Sequence, residues 1–388
     1  MQLAAGTFAR VIINIAIRMI YPFMPEFSRA LQVPQETLVL VTSSRYTFSL
    51  AAPLFASLPD RFGQRNIMLF AMALFVSAVL FVVLMPSFPA FVIALFTASI
   101  AKNIYDPAAY SYWSERSGYS RRGLVLAIFE TSWSISFLAG MPLIGWLMAR
   151  NTAVAWQYPF VMMAVFGAFA TILLRRVLQK SAPDLHNERT HHKPARQWRN
   201  VLADPRVLSG LAAGFLISVA NENILVILGA WLEASFGLSL TALGLVSFVI
   251  GVAELSGEGG VMAFVDRIGK RRAALLGLFM SSLAFAALHL LAGSIAGALL
   301  GLFLLFLTFE FTLVATLPLM SELVPTARAQ TMSVNAMMLL LGRMAGALLG
   351  GVLFKSGFLW NVSLGVILNL LAMAALYWGV KEEASRRA

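Results

Sequence analysis

The sequence of 388 residues has no cysteine and little charge. Without a thiol, disulfide bonds, cysteine nucleophiles and cysteine-ligated metals are all excluded. Four histidines, two of them adjacent at 191 and 192, do not predict a metal site. Charged residues make up 12% of the chain, against about 25% in a soluble domain. A soluble globular fold is therefore not expected.

A phosphate-binding loop of the form G-x-x-x-x-G-K-S/T is also missing from the sequence. Nucleotide-driven chemistry is therefore not predicted. We expect neither a cofactor nor an enzymatic activity, and an ion gradient is the expected driving force.

Long apolar runs fill the chain instead. Hydrophobic residues make up 59% of it, and the mean hydropathy is +0.80. Runs of about 20 apolar residues cross a bilayer as helices and are too long for barrel strands, so we predict an all-α membrane protein. The first run is also too long for a cleavable signal peptide. Twelve transmembrane helices are predicted near 4–27, 37–59, 66–86, 88–110, 122–149, 156–175, 206–232, 240–265, 271–293, 296–319, 329–353 and 357–380.

Lysine and arginine are unevenly distributed among the loops. The loops after even-numbered spans are basic, whereas the opposite loops contain only Arg29, Arg150 and Lys355. By the positive-inside rule, the N- and C-termini are predicted to be cytoplasmic, in a multi-pass protein of the inner or plasma membrane. The same distribution argues against nucleic-acid binding despite a net charge of +11.

The sequence contains an internal duplication. The hexamer DRFGQR at 60–65 returns as DRIGKR at 266–271. The hexamers are 206 residues apart, and matches at this and the next spacing predict two six-helix bundles at 1–175 and 206–388, joined by a cytoplasmic linker at 176–205. Further pairs, each 207 residues apart, are Asn14 and Asn221, Glu26 and Glu233, Ser28 and Ser235, Glu115 and Glu322, and Arg121 and Arg328.

Two sets of six spans, with Asp-Arg-x-Gly after spans 2 and 8, resemble the major facilitator superfamily of transporters. The family's loop motif is G-x-x-x-D-R-x-G-R-R/K, and this sequence departs from it at the first glycine, where Ala56 and Met262 stand. The resemblance implies alternating access, with a cytoplasmic gate made by the motif residues. These are Asp60, Arg61, Gly63, Arg65, Asp266, Arg267, Gly269 and Arg271.

Span 5 contains a second family-like feature, the segment AGMPLIG with Gly140, Pro142 and Gly145. It is similar to the glycine- and proline-rich motif of the family's drug:proton antiporters, with the spacing one residue out. Small residues also permit close helix packing in any membrane bundle. Both interpretations stay open, and the first one favours efflux.

Charged residues within the spans are costly, at about 2.5–3.5 kcal/mol each at the bilayer centre, so they must face one another or water. Spans 3, 6, 9 and 12 have none in their interiors, as the resemblance implies for lipid-facing helices. Those of the first half are mainly basic and those of the second mainly acidic. The ten that stand out are Arg18, Arg45, Lys102, Asp106, Glu130, Glu222, Glu254, Glu258, Glu310 and Arg343.

Some of these charges are candidate substrate ligands. On the first span, Asn14, Arg18 and Tyr21 lie on one helical face, and a guanidinium suits an anionic or polar head group. The alternative is that the charges form purely structural pairs. The predicted substrate cavity comprises Asn14, Arg18, Tyr21, Arg45, Lys102, Glu222 and Arg343.

Other charges are candidate proton carriers. Glu254 and Glu258 are one turn apart, and two such carboxylates do not ionise together easily. We predict that Glu254, Glu258, Glu310 and Asp106 take part in proton coupling. The alternatives are an ion pair between Lys102 and Asp106 and loop arginines opposite Glu258 and Glu130.

These features predict a proton-coupled secondary transporter that acts as a monomer and exports a small organic or amphiphilic solute. The alternative is a flippase for a lipid or lipid-linked precursor, in which Arg18 and Arg45 hold a phosphate group. A scaffold without transport activity is disfavoured, because it gains nothing from costly buried charges.

We predict that Asp60→Asn slows or unbalances the transport cycle without changing which solute is bound. A carboxylate at the gate accepts hydrogen bonds from neighbouring helix ends and so stabilises one access state. Transport rates and competition between solutes in proteoliposomes measure this. A changed solute preference in the variant would contradict the gate assignment.

Overall fold

The computed structural model describes residues 1–51, 58–118, 121–150, 152–179 and 201–380. These residues are almost entirely helical, with no strand among them. The side chains of Asp60 and Asp266, and most of the predicted linker, lie outside the described part of the chain. The gate role of both aspartates and the linker therefore stay predictions.

The described residues of the first part of the chain form ten α-helices. They are α1 Gln2–Arg18, α2 Ile20–Leu31, α3 Gln35–Ser44, α4 Leu58–Phe62, α5 Gln64–Leu84, α6 Phe88–Arg116, α7 Arg122–Glu130, α8 Ser132–Ile135, α9 Met141–Met148 and α10 Tyr158–Val177. The second part forms α11 Pro205–Leu225, α12 Leu228–Phe236, α13 Leu240–Ile268, α14 Lys270–Leu291, α15 Ile295–Leu323, α16 Arg328–Phe354 and α17 Phe358–Gly379.

Within the described residues, ten helices are long and apolar enough to cross a membrane, or eleven if α1 and α2 form one span. The prediction of a multi-pass all-α membrane protein is therefore confirmed. The second predicted span, 37–59, includes residues 52–57, which the structure does not describe. The count of twelve and the cytoplasmic termini stay predictions.

The first span is broken, although the sequence predicts one continuous helix at 4–27. Helices α1 and α2 meet at Met19 and are bent by 54°. Pro22 and Pro25 lack the N–H groups that would bond the carbonyls one turn earlier, and this favours a break. Arg45 donates from Nη1 to the Ile17 carbonyl at 2.7 Å and so binds the backbone just before the bend.

Span 5 is irregular as well. Helix α7 ends at Glu130, the short α8 follows, and a π-helical turn spans Ser136–Gly140 before α9 begins. Pro142, near the start of α9, has no backbone N–H and so cannot donate a hydrogen bond to a carbonyl of the preceding turn. Single π turns inside α-helices are frequent at functional sites.

The chain divides into two compact units. Unit 1 comprises Met1–Asn187 and Leu228–Gly251, and unit 2 comprises Glu188–Ile227 and Val252–Ala388. Helix α12 and the first half of α13, which belong to the second sequence repeat, thus pack in unit 1. The two six-helix bundles at 1–175 and 206–388 are inferred from the internal duplication, and this division of the sequence stays a prediction.

Within unit 1, glycines bring α13 against α9 at backbone distance. A Cβ atom on Gly244 would lie 2.7 Å from the Met141 carbonyl oxygen and 3.0 Å from Pro142 Cα. A Cβ atom on Gly251 would lie 2.6 Å from the Leu138 nitrogen. Only glycine fits such a close approach, because the atoms it meets are backbone atoms.

Unit 2 packs around α11, α14, α15 and α17. Its core includes Ile217, Leu278, Phe309 and Leu376, all buried. At the start of α11, the Asp204 carboxylate accepts from the Arg206 amide at 2.9 Å and also from its guanidinium. These hydrogen bonds lower the pKa of Asp204.

We expect Gly244→Ala to lower the apparent melting temperature in detergent, because the new methyl group meets the backbone of α9. Overpacking of this kind costs roughly 1–3 kcal/mol. Tryptophan fluorescence on heating measures the change.

Gly259→Ala, on the same helix, is the matched control. Its new methyl group has no neighbouring heavy atom within 4 Å, and alanine favours the helix over glycine by about 1 kcal/mol. Equal melting temperatures for the two variants would contradict the close approach.

Candidate functional site

A polar stripe runs along α1 through the interior of unit 1. Arg10, Asn14 and Arg18 are each four residues apart, so they lie on one helical face. All three are buried, with at most 4% of their surface exposed. Polar groups at this depth need partners, since burial without hydrogen bonds is costly. Those partners come from α6, α7 and α8.

Arg10 is bound by two carboxylates. Its Nε and Nη2 donate to Asp106 Oδ1 and Oδ2 at 3.0 and 3.2 Å, which is a bidentate pair. Its Nη1 donates to Glu130 Oε2 at 3.0 Å. Nη2 also donates to the Tyr110 hydroxyl at 2.8 Å, and that hydroxyl donates to the other Glu130 oxygen.

The remaining contacts of Arg10 join it to the break in span 5. Nη1 lies 3.1 Å from the Phe129 carbonyl oxygen and 3.2 Å from Ser132 Oγ. The guanidinium carbon lies 4.5 Å from the centroid of the Phe129 ring. Every N–H direction of Arg10 therefore has an acceptor, as a planar guanidinium requires when it is buried.

Lys102 completes this group of charges. Its Nζ donates to Asp106 Oδ2 at 2.8 Å and to Asn14 Oδ1 at 2.9 Å. The ion pair that the spacing of Lys102 and Asp106 predicts is thus present. Asn14 in turn lies 3.4 Å from Ser132 Oγ. We call these residues the Arg10 cluster: Arg10, Asn14, Lys102, Asp106, Tyr110, Glu130 and Ser132.

The Arg10 cluster is electrically balanced. It contains two cations and two carboxylates, so its formal charge is zero when both carboxylates are ionised. Balance is what a group of charges in a low-dielectric interior needs. A proton gained by either carboxylate would leave one positive charge in excess.

Sequence reasoning missed Arg10 and Tyr110. The sequence left a loop arginine opposite Glu130 as one alternative, whereas in the structure Glu130 pairs with Arg10 of the first helix. A signal for Arg10 existed, since it lies one turn before Asn14 on the face already assigned to the cavity. Its partners on α6 and α7 are about 100 residues away in the sequence, and no local spacing reveals them.

Arg18, the last residue of the stripe, lies on an aromatic platform. Its guanidinium carbon is 4.3 Å from the centroid of the Trp133 ring and 3.4 Å from that of Phe137. Its Nη1 donates to the Trp133 carbonyl at 2.9 Å, and Ser136 Oγ donates to the same oxygen at 2.6 Å. Arg18 thus binds the backbone of span 5 one turn beyond the atom that Arg10 binds.

Tyr21 and Arg45 form a separate group at the bend of the first span. Arg45 Nη2 lies 2.5 Å from the Tyr21 hydroxyl and 3.3 Å from the Tyr46 hydroxyl, and the two hydroxyls are 2.8 Å apart. The structure therefore distributes the predicted cavity residues of unit 1 over three places: the Arg10 cluster, the Arg18 platform and this group.

In unit 2, Glu222 and Arg343 face each other. The Glu222 side chain is fully buried, and its Oε2 lies 3.5 Å from Arg343 Nη1. A Cβ atom on Gly346 would lie 2.9 Å from Glu222 Cβ, so α11 and α16 touch closely at this pair. The two cavity residues predicted for unit 2 are thus brought together.

The three predicted proton carriers of unit 2 lie on α13 and α15, near one crossing of these two helices. Glu254 and Glu310 are buried, with 2% and 6% exposed, and Glu258 is half-buried. A Cβ atom on Gly257 would lie 3.0 Å from Glu310 Cβ. Helix α15 therefore places Glu310 beside the turn of α13 that carries Glu254 and Glu258.

The two copies of the hexamer adopt equivalent backbones. Gly63 and Gly269 have φ angles of +81° and +93°, a region that favours glycine. Each glycine immediately precedes a helix: Gly63 precedes α5, and Gly269 precedes α14. Arg65 donates to the Arg175 carbonyl at 2.6 Å, and Arg271 donates to the Tyr377 carbonyl at 2.5 Å. The second arginine of each motif copy thus binds the C-terminal end of the last helix of its repeat.

Comparison with known proteins identifies the family. The family model described as Major Facilitator Superfamily matches residues 6–257 and 210–388. Among curated proteins, the uncharacterised MFS-type transporter YceJ of Bacillus subtilis is 24% identical over 363 residues, which cover 90% of this chain and 88% of YceJ. YwfA, of the same kind and organism, is 24% identical over 272 residues, which cover 69% of this chain and 65% of YwfA.

Among solved structures, a bacterial homologue of the human lysosomal transporter Spinster, in an inward-facing and unoccupied conformation, superposes with a TM-score of 0.73. It is 16% identical, and the match covers 97% of this chain and 93% of that chain. At this identity the likeness concerns the fold. Since the family model accounts for nearly the whole chain, this protein belongs to the major facilitator superfamily.

Proposed function

We propose that this protein is a proton-coupled secondary transporter that exports a small organic or amphiphilic solute. It acts as a monomer in the inner or plasma membrane, without a cofactor. Its family supports secondary transport across a membrane rather than an enzymatic reaction. We infer the coupling to protons, the direction of transport and the class of substrate from the site.

The observation that carries this proposal is the number of ionisable groups buried inside both units. Glu254 and Glu310 in unit 2 are almost inaccessible, as are Arg10 and Arg18 in unit 1. Ionisable groups within transmembrane segments are rare and typically mark substrate or proton pathways. A fold that only needed stability would gain as much from apolar residues of similar volume.

Glu254, Glu258 and Glu310 support proton coupling. All three lie near one crossing of α13 and α15, and carboxylates that come close together repel one another when all are ionised. Binding a proton at one of them relieves this repulsion, and losing it restores the repulsion. We therefore propose that Glu254 and Glu310 carry the transported proton and that Glu258, the more exposed member, connects them to water.

Asp106 has a different environment. It accepts hydrogen bonds from both Arg10 and Lys102. These two cations hold its carboxylate within the Arg10 cluster. We therefore propose Asp106 as the fixed anion of the Arg10 cluster, although the sequence assigns it to the proton carriers.

The cavity residues support a solute with a polar group and an apolar body. Arg18 on Trp133 and Phe137 combines a cation with two aromatic faces. This combination suits an amphiphilic solute. Export is proposed from the glycine- and proline-rich segment of span 5, where the π turn precedes α9.

The flippase alternative gains no support from the described residues. Arg45, a candidate to hold a phosphate group, binds the Ile17 carbonyl and two tyrosine hydroxyls instead. A lipid assay nevertheless belongs in the experiment, because the two functions share one fold.

We expect Glu254→Gln and Glu310→Gln each to abolish solute-driven proton movement, because glutamine cannot bind the proton. Purified protein in liposomes would be supplied with amphiphilic dyes, with internal pH and dye content both recorded. Glu115→Gln, an exposed carboxylate at the end of α6, is the control that should behave as wild type.

Full pH-dependent transport by both buried-site variants would overturn the proton assignment. Lipid translocation without dye movement would indicate the flippase instead. If the folded wild-type protein were silent in both assays, the proposal of a transporter for such solutes would fail.

A further inference from the structure

We infer that Asn221 on α11 is a binding site for the solute, and that its side-chain oxygen accepts a hydrogen bond from an amino or hydroxyl group of that solute. This role rests on the transport of an amphiphilic solute proposed above and adds a chemical requirement to it. Asn221 is not among the predicted cavity residues, although its neighbour Glu222 is. Two observations point to it: an amide oxygen without a partner, and the loss of a polar cluster from the second repeat.

The amide of Asn221 is deeply buried. The residue is 4% exposed, and its Oδ1 has no hydrogen-bond partner within the described part of the chain. A buried acceptor without a donor is destabilising, because the amide has given up its hydrogen bonds to water. An apolar side chain of similar size would avoid this cost, so asparagine at this position requires an explanation other than stability.

The repeat-related residue Asn14 shows what such an amide needs. Asn14 lies 207 residues before Asn221 and belongs to the Arg10 cluster. Its Oδ1 accepts from Lys102 Nζ at 2.9 Å, and its Nδ2 lies 3.4 Å from Ser132 Oγ. Side chains of unit 1 thus hold both ends of the Asn14 amide.

The second repeat has the asparagine without the rest of the cluster. At the same spacing of 207 residues, every other member of the Arg10 cluster has an apolar counterpart. Ile217 and Phe309, the counterparts of Arg10 and Lys102, lie together in the buried core of unit 2. No lysine or serine therefore stands at the positions that correspond to the partners of Asn14. The six apolar counterparts are Ile217, Phe309, Leu313, Leu317, Met337 and Leu339.

This apolar group is not completely enclosed. Leu313, Leu317, Met337 and Leu339 are each half-buried. Leu339 packs against α11, since a Cβ atom on Gly214 would lie 3.2 Å from its Cδ2. Side chains of this kind can change rotamer without a shift of the backbone. We expect the apolar body of the solute to displace them and its donor group to reach Asn221 Oδ1.

The atom without a partner decides the class of ligand. A carboxamide oxygen accepts hydrogen bonds and does not donate them, so its partner on the solute must be an N–H or O–H group. Apolar walls with few polar groups are typical of small-molecule sites, where the polar groups fix orientation and specificity. The solute that fits is an amphiphilic amine or alcohol. A quaternary ammonium compound without a hydroxyl group cannot make this contact.

Melting temperatures of the full-length protein in detergent test the amide without any solute. Asn221→Leu removes the amide and keeps a side chain of similar size, so we expect it to melt at or above the wild-type temperature. Asn14→Leu, the repeat-related control, should melt below the wild type, because Lys102 loses a hydrogen-bond acceptor. If Asn221→Leu were destabilised as much as Asn14→Leu, or did not fold, Oδ1 would have a structural partner and the inference would be overturned.

Two rhodamine methyl esters with one ring system test the occupant. The first has free amino groups, and the second has methyl groups in place of all amino hydrogens, so only the first can donate. Fluorescence polarisation with purified protein would give the dissociation constants. We expect Asn221→Leu to weaken binding of the amino dye about tenfold, as for the loss of one hydrogen bond, and to leave the methylated dye unchanged.

Asn221→Ala, with a smaller side chain, should shift the ratio of the two dissociation constants in the same direction. This ratio does not depend on the fraction of protein that is folded. An equal loss of affinity for both dyes would overturn the inference, because it would reflect a general change in the fold.

The same titrations separate this site from the proposed function. If the wild type binds both dyes and Asn221→Leu binds each with unchanged affinity, the proposed transport stands and the role of Asn221 fails. If the wild type binds neither dye, the proposed transport of amphiphilic solutes is contradicted, and the solute site at Asn221 fails with it.

Discussion

The bidentate ion pair between Arg10 and Asp106 is the interaction on which the interior of unit 1 depends. Both groups lose most of their hydration in the helix bundle, and only close, geometrically matched contact offsets that cost. The pair joins α1 to α6. Glu130 extends it to α7, and Lys102 balances the added negative charge, so the formal charge of the group stays at zero. Removing one partner of such a pair typically costs about 3–5 kcal/mol, because the other charge stays buried. The substrate and proton roles proposed above presuppose this balance.

A second theme connects the buried arginines to irregular backbone. Each of the three buried arginines that the structure describes in unit 1 donates to a carbonyl at or next to irregular backbone: Arg10 to Phe129, Arg18 to Trp133 and Arg45 to Ile17. Non-helical backbone is tolerated at membrane depth only where protein or water satisfies its polar groups. These cations therefore satisfy backbone carbonyls at the bend of span 1 and in the irregular part of span 5. They also place the charges where a small change of helix direction alters their contacts, which suits a transport cycle.

Sequence patterns predicted the class of fold and family well, because apolar length and repeated motifs are local signals. The ion pair of Lys102 with Asp106 also followed from a spacing of four residues within one helix. The partners of Glu130 could not be predicted in this way, since its contact with Arg10 joins residues that are more than 100 positions apart in the sequence. The bend at Met19 had a visible cause in Pro22 and Pro25, yet proline in membrane helices is common and does not by itself predict a break. Likewise, the sequence does not reveal that Glu310 lies beside Gly257, in the turn of α13 that follows Glu254.

The central claim, that Arg10 and Asp106 act as one unit, is tested most directly by a double-mutant cycle with Arg10→Gln and Asp106→Asn. Unfolding by sodium dodecyl sulfate in mixed micelles would give the free energies. Each single variant leaves the Arg10 cluster with a net charge, whereas the double variant restores neutrality. We therefore expect the double variant to lose less stability than the sum of the singles, by about 1–3 kcal/mol. Losses that add to within about 0.5 kcal/mol would contradict the claim.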